Sequence, residues 1–171
     1  MVTSAVCVFL DDGILALSRV LGLVRRRNVR VTSLAMTPSR NPEVARLVAT
    51  LATDPSTAEA LVKQLCKTSG VRDACVLPDA DGSRRELVRV RVRAQGTRGA
   101  VLDAASLYRA AIVDETAESI TLELAGEGSF VVSFLRALEP HGILEIARTG
   151  VAVLDPALLD HHIVPPSEDV A

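Results

Sequence analysis

The sequence has no tryptophan, and its aromatic residues are three phenylalanines and one tyrosine. Proteins that bind single-stranded nucleic acids stack bases on aromatic side chains, and most nucleic-acid-binding proteins carry basic patches. This chain has few rings, and its formal net charge is −2. We therefore expect no nucleic-acid partner.

Cysteine is also scarce. Cys7, Cys66 and Cys75 show neither a CxxC pattern nor a Cys/His spacing. An odd number of cysteines without such a pattern argues against a disulfide framework and against a zinc site. No activating base stands beside any of them, so we interpret them as small apolar residues of the interior in a reducing compartment.

Long apolar runs are missing as well. No segment approaches the roughly 20 residues that span a bilayer, and no basic stretch precedes an apolar one at the N-terminus. The sequence therefore predicts a cytoplasmic protein with no membrane association.

His161 and His162 lie near Asp155 and Asp160. Adjacent histidines point in different directions on most backbones, so we expect no metal site, and no nucleophile and base can be paired into a catalytic site.

What the sequence does contain is an alternation of strand and helix patterns. In its first half, short apolar runs rich in valine predict four strands, at residues 2–10, 29–36, 44–53 and 71–77. Apolar residues at helical spacing predict a helix over residues 14–24. A second helix opens at residues 54–56, where Ser56 and Glu59 form a capping box. The resulting order is βαββαβ.

The same order recurs after a short polar linker at residues 78–83. Strands are predicted at residues 87–94, 111–114, 119–125 and 143–154, and helices at residues 99–108 and 129–138. The fold class is therefore α+β, with two ferredoxin-like βαββαβ domains in tandem. We place the first domain at residues 1–78, the second at residues 84–155 and a flexible tail at residues 156–171.

One strand of the second half alternates strictly between valine and arginine over residues 88–93. This pattern is typical of a strand with one buried face and one solvated face. The arginines suggest an acidic partner or a nucleic acid, but Glu123 lies on the neighbouring strand of a ferredoxin-like sheet and neutralises part of the row. We interpret the row as a solvated face.

Seven short segments, spread over both halves of the chain, form a recognisable set. They are residues 17–23 (Leu-Ser-Arg-Val-Leu-Gly-Leu), 32–35 (Thr-Ser-Leu-Ala), 83–87 (Ser-Arg-Arg-Glu-Leu), 107–110 (Leu-Tyr-Arg-Ala), 112–114 (Ile-Val-Asp), 138–143 (Leu-Glu-Pro-His-Gly-Ile) and 145–150 (Glu-Ile-Ala-Arg-Thr-Gly). Together they resemble the small regulatory subunits of acetolactate synthase. The similarity runs in order over residues 2–154 without large gaps. No single motif among them would have been sufficient.

This resemblance implies a non-catalytic subunit with an ACT domain as its first domain. The partner would be the large catalytic subunit, which holds thiamine diphosphate, Mg²⁺ and FAD and condenses pyruvate with pyruvate or 2-oxobutyrate. The small subunit raises that activity, and this chain would carry no cofactor of its own. In the family the ACT domains pair, and a branched-chain amino acid, usually valine, binds between them as an inhibitor.

The resemblance also places the effector site, at Asp12, Gly13, Leu15 and Arg30. The family carries an Asn-x-x-Gly pattern in the first turn and an asparagine on the second strand. Here Asp12 takes the turn asparagine position, Leu15 the glycine position and Arg30 the strand position. An ionised Asp12 only accepts hydrogen bonds and repels a carboxylate, so we expect weak or absent valine feedback.

Two alternatives remain open at this site. In one, a shorter loop uses Gly13 as the position of close approach, and Arg30 binds the effector carboxylate. In the other, Asp11 and Asp12 are only turn and helix N-terminal residues.

Two expectations concern the assembly and role of the chain. The first strand is apolar on both faces, while the helices of one domain cover only one, so we expect at least a homodimer through the first domain. The alternative function is a free-standing ACT-like sensor or assembly module that serves a different enzyme.

Overall fold

The predicted βαββαβ order occurs twice in the computed structural model, which describes residues 3–11, 13–39, 41–77 and 84–153. These residues form two compact units, the second of which begins at Arg84. The predicted linker at residues 78–83 and the predicted tail at residues 156–171 lie outside the described residues.

The first unit is a four-stranded antiparallel sheet with two helices. Its elements are β1 (Ser4–Leu10), α1 (Gly13–Arg26), β2 (Arg30–Pro38), β3 (Ala45–Ala52), α2 (Pro55–Leu65) and β4 (Val71–Leu77). The strand order is β2-β3-β1-β4, which is the ferredoxin-like arrangement. All seven residues of β1, which lies between two neighbouring strands, are buried, as its apolar pattern predicted. They are buried within a single chain, however, and not by the second copy that the sequence led us to expect.

The start of α2 corrects the predicted capping box. Asp54, not Ser56, is the N-cap residue, and its carboxylate accepts hydrogen bonds from the backbone N–H of Thr57 at 2.9 Å and from the hydroxyls of Ser56 and Thr57. The bond from the Ser56 hydroxyl, followed by those from Thr57, holds the pKa of Asp54 well below its usual range. Pro55 follows in the first turn, where a missing N–H costs nothing.

The second unit repeats the topology with different strand chemistry. Its elements are β5 (Arg84–Arg93), α3 (Arg98–Tyr108), β6 (Ala111–Glu115), β7 (Ser119–Gly126), α4 (Gly128–Leu138) and β8 (Ile143–Arg148). A short strand, β9 (Ala152–Val153), follows, and the unit ends within it, at Ala152. The strand order is β6-β7-β5-β8, and β9 also pairs with β5. The predicted last strand is interrupted, because Gly150 has a φ of +79°, which an extended strand does not allow.

The arginine row lies where its alternation placed it. Val88, Val90 and Val92 are fully buried against the helices, whereas the arginines between them are exposed on the other sheet face. Arg89 forms an ion pair with Glu123 at 2.9 Å, as predicted, and Arg91 forms one with Glu145 at 3.2 Å. These pairs are solvent-exposed and contribute little stability, about 1 kcal/mol or less each. Their main effect is to neutralise the row.

Candidate functional site

The turn after β1 is held by the segment that precedes β4. The backbone N–H of Asp11 donates to the carbonyl of Gly70 at 2.9 Å. The Asp11 carboxylate accepts from Arg72, at 2.9 Å from Nε and 2.8 Å from Nη2. The turn that the resemblance marks as the effector site therefore has a guanidinium beside it, supplied from the other end of the first unit's sequence.

Gly70 brings this segment close to α1. Its φ is +86°, and a Cβ added there would lie 2.9 Å from the Cβ of Ala16. Arg19 of α1 donates from Nη1 to the carbonyl of Ser69 at 3.2 Å. Only glycine allows both the left-handed backbone and this close approach, so the position of α1 depends on residue 70.

The predicted effector residues fall at different places. Asp12 lies outside the described residues. Gly13 is the first residue of α1, and a Cβ on it would lie in ordinary contact with Ala45 and Met36, at 3.5 and 3.9 Å. Leu15 is 56% exposed in the first turn of α1, so its side chain lies on the surface at the position that the resemblance assigns to glycine.

Arg30 is far from the other predicted residues within one chain. Ala45 of β3 pairs with Leu10, at the turn end of β1, whereas Ala52 pairs with Arg30. Seven residues of an antiparallel strand span about 24 Å. A single chain therefore does not bring Gly13 and Arg30 together, and the alternative in which both bind one effector is not assembled by one copy.

Sequence reasoning missed Arg72 as a neighbour of the turn. The predicted topology did contain this information, because β1 and β4 are antiparallel neighbours in the ferredoxin-like order and the end of β1 therefore lies beside the start of β4. Placing Arg72 next to Asp11 required the register between these strands, which shifts between Phe9 and Leu10.

The first turn of α1 and the edge strand β2 carry exposed apolar side chains. Ile14 is 77% exposed, and Leu15, Leu34 and Met36 are also exposed. The 3.9 Å separation between the built Gly13 Cβ and the Met36 side chain shows that the two elements meet here. Isolated apolar residues on a surface are normal, but several together on one side mark a candidate interface.

Cys7 packs in the interior, as its sequence predicted, and it also has polar neighbours. It is buried, it is paired with Cys75 in the β1–β4 register, and Arg46 donates from Nε to its Sγ at 3.4 Å. The hydrogen bond with the Cys75 thiol, with a further contribution from Arg46, lowers the pKa of Cys7 from 9.0 to about 7. Burial and the charge of Asp73 oppose this shift but are outweighed. Cys66, by contrast, is exposed, so the prediction that all three cysteines are interior residues was wrong for Cys66.

A shallow cavity of about 360 Å³ lies in the first unit, away from the predicted effector residues. Its lining residues are Arg27, Val29, Ser56, Thr57, Ala60, Leu61 and Gln64. Arg27 donates from Nε to Oε1 of Gln64 at 2.9 Å, so part of its polar lining is already satisfied internally.

Among the residues that the structure describes, no group of three or more His, Cys, Asp or Glu side chains is arranged to hold a metal ion. Within the same residues, no helix combines the length and the apolar character needed to cross a membrane.

Comparison with known proteins connects both units to one kind of protein. Residues 85–155 match the family described as the small subunit of acetolactate synthase, and residues 15–74 match the family described as the ACT domain. The acetolactate synthase small subunit of Mycolicibacterium smegmatis is 35% identical over 150 residues, which cover 87% of this chain and 88% of that protein. The corresponding protein of Mycobacterium leprae is 36% identical over 154 residues, covering 89% of this chain and 90% of that protein.

A solved structure gives the same result in three dimensions. The crystal structure of the acetolactate synthase small subunit from Thermotoga maritima matches with a TM-score of 0.79 and 25% sequence identity. The match covers 90% of this chain and 97% of that chain.

The close approach at Gly70 yields a first prediction. Gly70→Ala must place a Cβ in a left-handed backbone and against Ala16, whereas Gly96→Ala, at a φ of +73°, meets no atom within 4 Å. We expect Gly96→Ala to lower the free energy of unfolding by about 1–2 kcal/mol, the backbone cost alone. Gly70→Ala should lower the free energy of unfolding by about 1–3 kcal/mol more than Gly96→Ala does, because α1 must shift. Urea denaturation measures both, and equal losses would contradict the close packing.

The pKa of Cys7 yields a second prediction. Between pH 7 and pH 9 the unfolded chain binds more protons at this thiol than the folded chain, so the free energy of unfolding rises with pH in that window. We expect this rise in the reduced protein and a smaller rise in Cys7→Ala. Urea denaturation in a phosphine reductant measures it, and Cys66→Ala is the matched control that retains the rise. An identical pH dependence in Cys7→Ala would disprove the shift.

Proposed function

The chain belongs to the family of acetolactate synthase small subunits, and from this membership we propose that it binds a separate catalytic subunit and raises its activity. It is a regulatory subunit of acetolactate synthase and not the catalytic large subunit. The observation that carries this function is a relative 35% identical over 87% of the chain, together with family matches in both units. The resemblance seen in the sequence is confirmed, and the first domain is an ACT domain.

The chemistry belongs to the partner in this proposal. The large subunit holds thiamine diphosphate, Mg²⁺ and FAD and condenses pyruvate with pyruvate or 2-oxobutyrate, in the cytoplasm. The present chain contributes contacts and regulation and holds no cofactor. The alternative of a free-standing sensor for a different enzyme receives no support from the comparisons, because the relatives named above are acetolactate synthase small subunits.

We assign to the two domains the bounds and the roles that the sequence predicted. The ACT domain at residues 1–78 pairs with a second copy and senses an amino acid, and the domain at residues 84–155 completes the small subunit. The surface available for this pairing is not β1. All of β1 is buried within the single chain, so the apolar surface that a second copy would cover lies at Ile14 and Leu15 of α1 and at Leu34 and Met36 of β2.

The geometry of the effector residues also favours a second copy. The turn at Gly13 and the backbone of Arg30 lie about 24 Å apart along the sheet of one chain. An effector is smaller than this distance, so a pocket that uses both residues has to take them from two chains. Pairing through the first unit would supply the second chain.

Such a pocket is poorly suited to valine. Asp12 replaces an amide that would donate to the effector carboxylate, and Leu15 adds an exposed side chain where a glycine allows close approach. The guanidinium of Arg72 at the turn is already paired with Asp11, so it does not replace the lost donors without breaking that ion pair. Activation of the large subunit does not depend on this pocket.

The activating role has a direct test. We expect the purified chain to form no acetolactate from pyruvate by itself and to raise the turnover of its cognate large subunit when the two are mixed. Acetolactate formation at a fixed concentration of large subunit, with increasing amounts of this chain, measures the effect. Turnover by the isolated chain, or no change on mixing despite co-purification, would overturn the proposal.

The altered pocket predicts weak valine inhibition of the reconstituted enzyme. Losing two charge-assisted hydrogen bonds, at about 1.5–3 kcal/mol each, weakens binding by roughly two orders of magnitude or more. The triple variant Asp12→Asn, Leu15→Gly, Arg30→Asn should therefore increase valine sensitivity. The double variant Asp103→Asn, Arg136→Gln, at exposed positions of α3 and α4, also removes one charge of each sign and is the control for charge alone.

A valine titration of the reconstituted enzyme separates the possibilities. Inhibition of the unaltered enzyme at sub-millimolar valine would show that the pocket is rebuilt in another way. A triple variant that activates the large subunit normally but gains no sensitivity would show that these positions do not form the effector site.

A further inference from the structure

Cys7 and Cys75 occupy positions that suit a disulfide bond. They are direct partners across the antiparallel pair β1–β4. Directly opposite residues in such a pair have Cα atoms about 4.5–5.5 Å apart, and disulfides span about 4.4–6.8 Å between Cα atoms. A hydrogen bond already links the two thiols. A bond between the sulfurs therefore requires no large movement of the backbone.

The sheet face that carries this pair also allows the bond. Val6 and Val8 of β1 pack into the core beneath the helices. Cys7 lies between them in the strand, so its side chain points to the opposite sheet face. Cys66 is on the other side, because its thiol is at the end of α2, where it donates to the carbonyl of Ala74 at 3.6 Å. The helix-side core therefore does not have to repack when Cys7 and Cys75 are joined.

The two thiols differ in a way that fits stepwise exchange. Cys75 is partly exposed, whereas Cys7 is fully buried. The guanidinium of Arg46 donates to the Cys7 sulfur at 3.4 Å and favours its thiolate, while Asp73 acts in the opposite direction. An oxidant from solution therefore meets Cys75 first, and Cys7 is the nucleophile placed to complete the bond.

We propose that Cys7 and Cys75 form a reversible disulfide by exchange with a small-molecule disulfide, which makes the first unit a site of thiol oxidation. The Cys75 thiolate attacks one sulfur of the small disulfide, the S–S bond of that molecule breaks, and one small thiol leaves. The Cys7 thiolate then attacks the Cys75 sulfur and displaces the second small thiol. Two protein thiols are oxidised and one small disulfide is reduced to two thiols, which take the two protons.

The bond joins the strands near the effector turn. Asp11 lies four residues after Cys7, and its ion-pair partner Arg72 lies three residues before Cys75. Oxidation therefore fixes β4 to β1 next to the contact that holds the turn. The proposal does not depend on the identity of the catalytic partner, since it concerns thiols of this chain alone.

The test is oxidation of the full-length reduced chain by mixtures of oxidised and reduced glutathione, followed by acid quenching, alkylation and peptide mapping. We expect a mass loss of about 2 Da, loss of two alkylatable thiols, a peptide linking Cys7 to Cys75, and reversal by dithiothreitol. Cys66→Ser should behave like the unaltered chain. Cys7→Ala should instead accumulate a glutathione adduct on Cys75, because the resolving thiol is missing.

Several outcomes would overturn the proposal. One is a stable glutathione adduct on Cys75 of the unaltered chain that never converts to the Cys7–Cys75 disulfide. Another is a bond that joins Cys66 to Cys75. A third is oxidation that occurs only in urea. Because Cys75 is partly exposed, Cys75→Ala is expected to fold, and circular dichroism checks this. A linked species that persists in Cys75→Ala would also refute the assignment.

Discussion

The burial of β1 is the constraint on which the first unit depends. A strand that is apolar on both faces cannot lie at an edge or face water, so it occupies the centre of the sheet between β3 and β4. The central position of β1 then determines where the neighbouring segments lie. The turn at Asp11 emerges next to the start of β4, α1 begins directly after it, and Cys7 comes to lie opposite Cys75.

The second unit shows that one topology can carry strands of different side-chain chemistry. Its strand order matches that of the first unit, yet its central strand β5 alternates valine with arginine instead of being apolar throughout. One face of this sheet is therefore dry, and the other carries ion pairs such as Arg89–Glu123. Fold alone assigns neither unit a function. The regulatory role of the chain rests on its family membership, and the details rest on particular residues.

The effector site that we propose would depend on close approaches of the backbone and on a small number of hydrogen-bond donors. At the turn, Gly70 permits close contact with α1, and the pairing of Asp11 with Arg72 ties the turn to β4. These contacts hold the turn in place, but they also use the guanidinium that would otherwise attract a carboxylate. In the proposed effector site, Arg72 is therefore available to a carboxylate only if its ion pair with Asp11 breaks.

The sequence by itself determined the order of the elements, the burial of β1 and the two-faced character of β5, because hydrophobic periodicity is a property of neighbouring residues. It also indicated the pairing of Arg89 with Glu123, since the ferredoxin-like order makes their strands neighbours. It did not determine the N-cap, where Asp54 and Ser56 were both suitable and the local geometry selected the carboxylate.

Only the tertiary structure decided the contacts that join distant segments. Asp11 and Arg72 are 61 residues apart in sequence, and their contact depends on a shift in strand register. The same register pairs Cys7 with Cys75, and the length of β3 separates Gly13 from Arg30. Register arises from the packing of the whole sheet and its turns, so no local pattern encodes it, and a one-residue slip would place different side chains together.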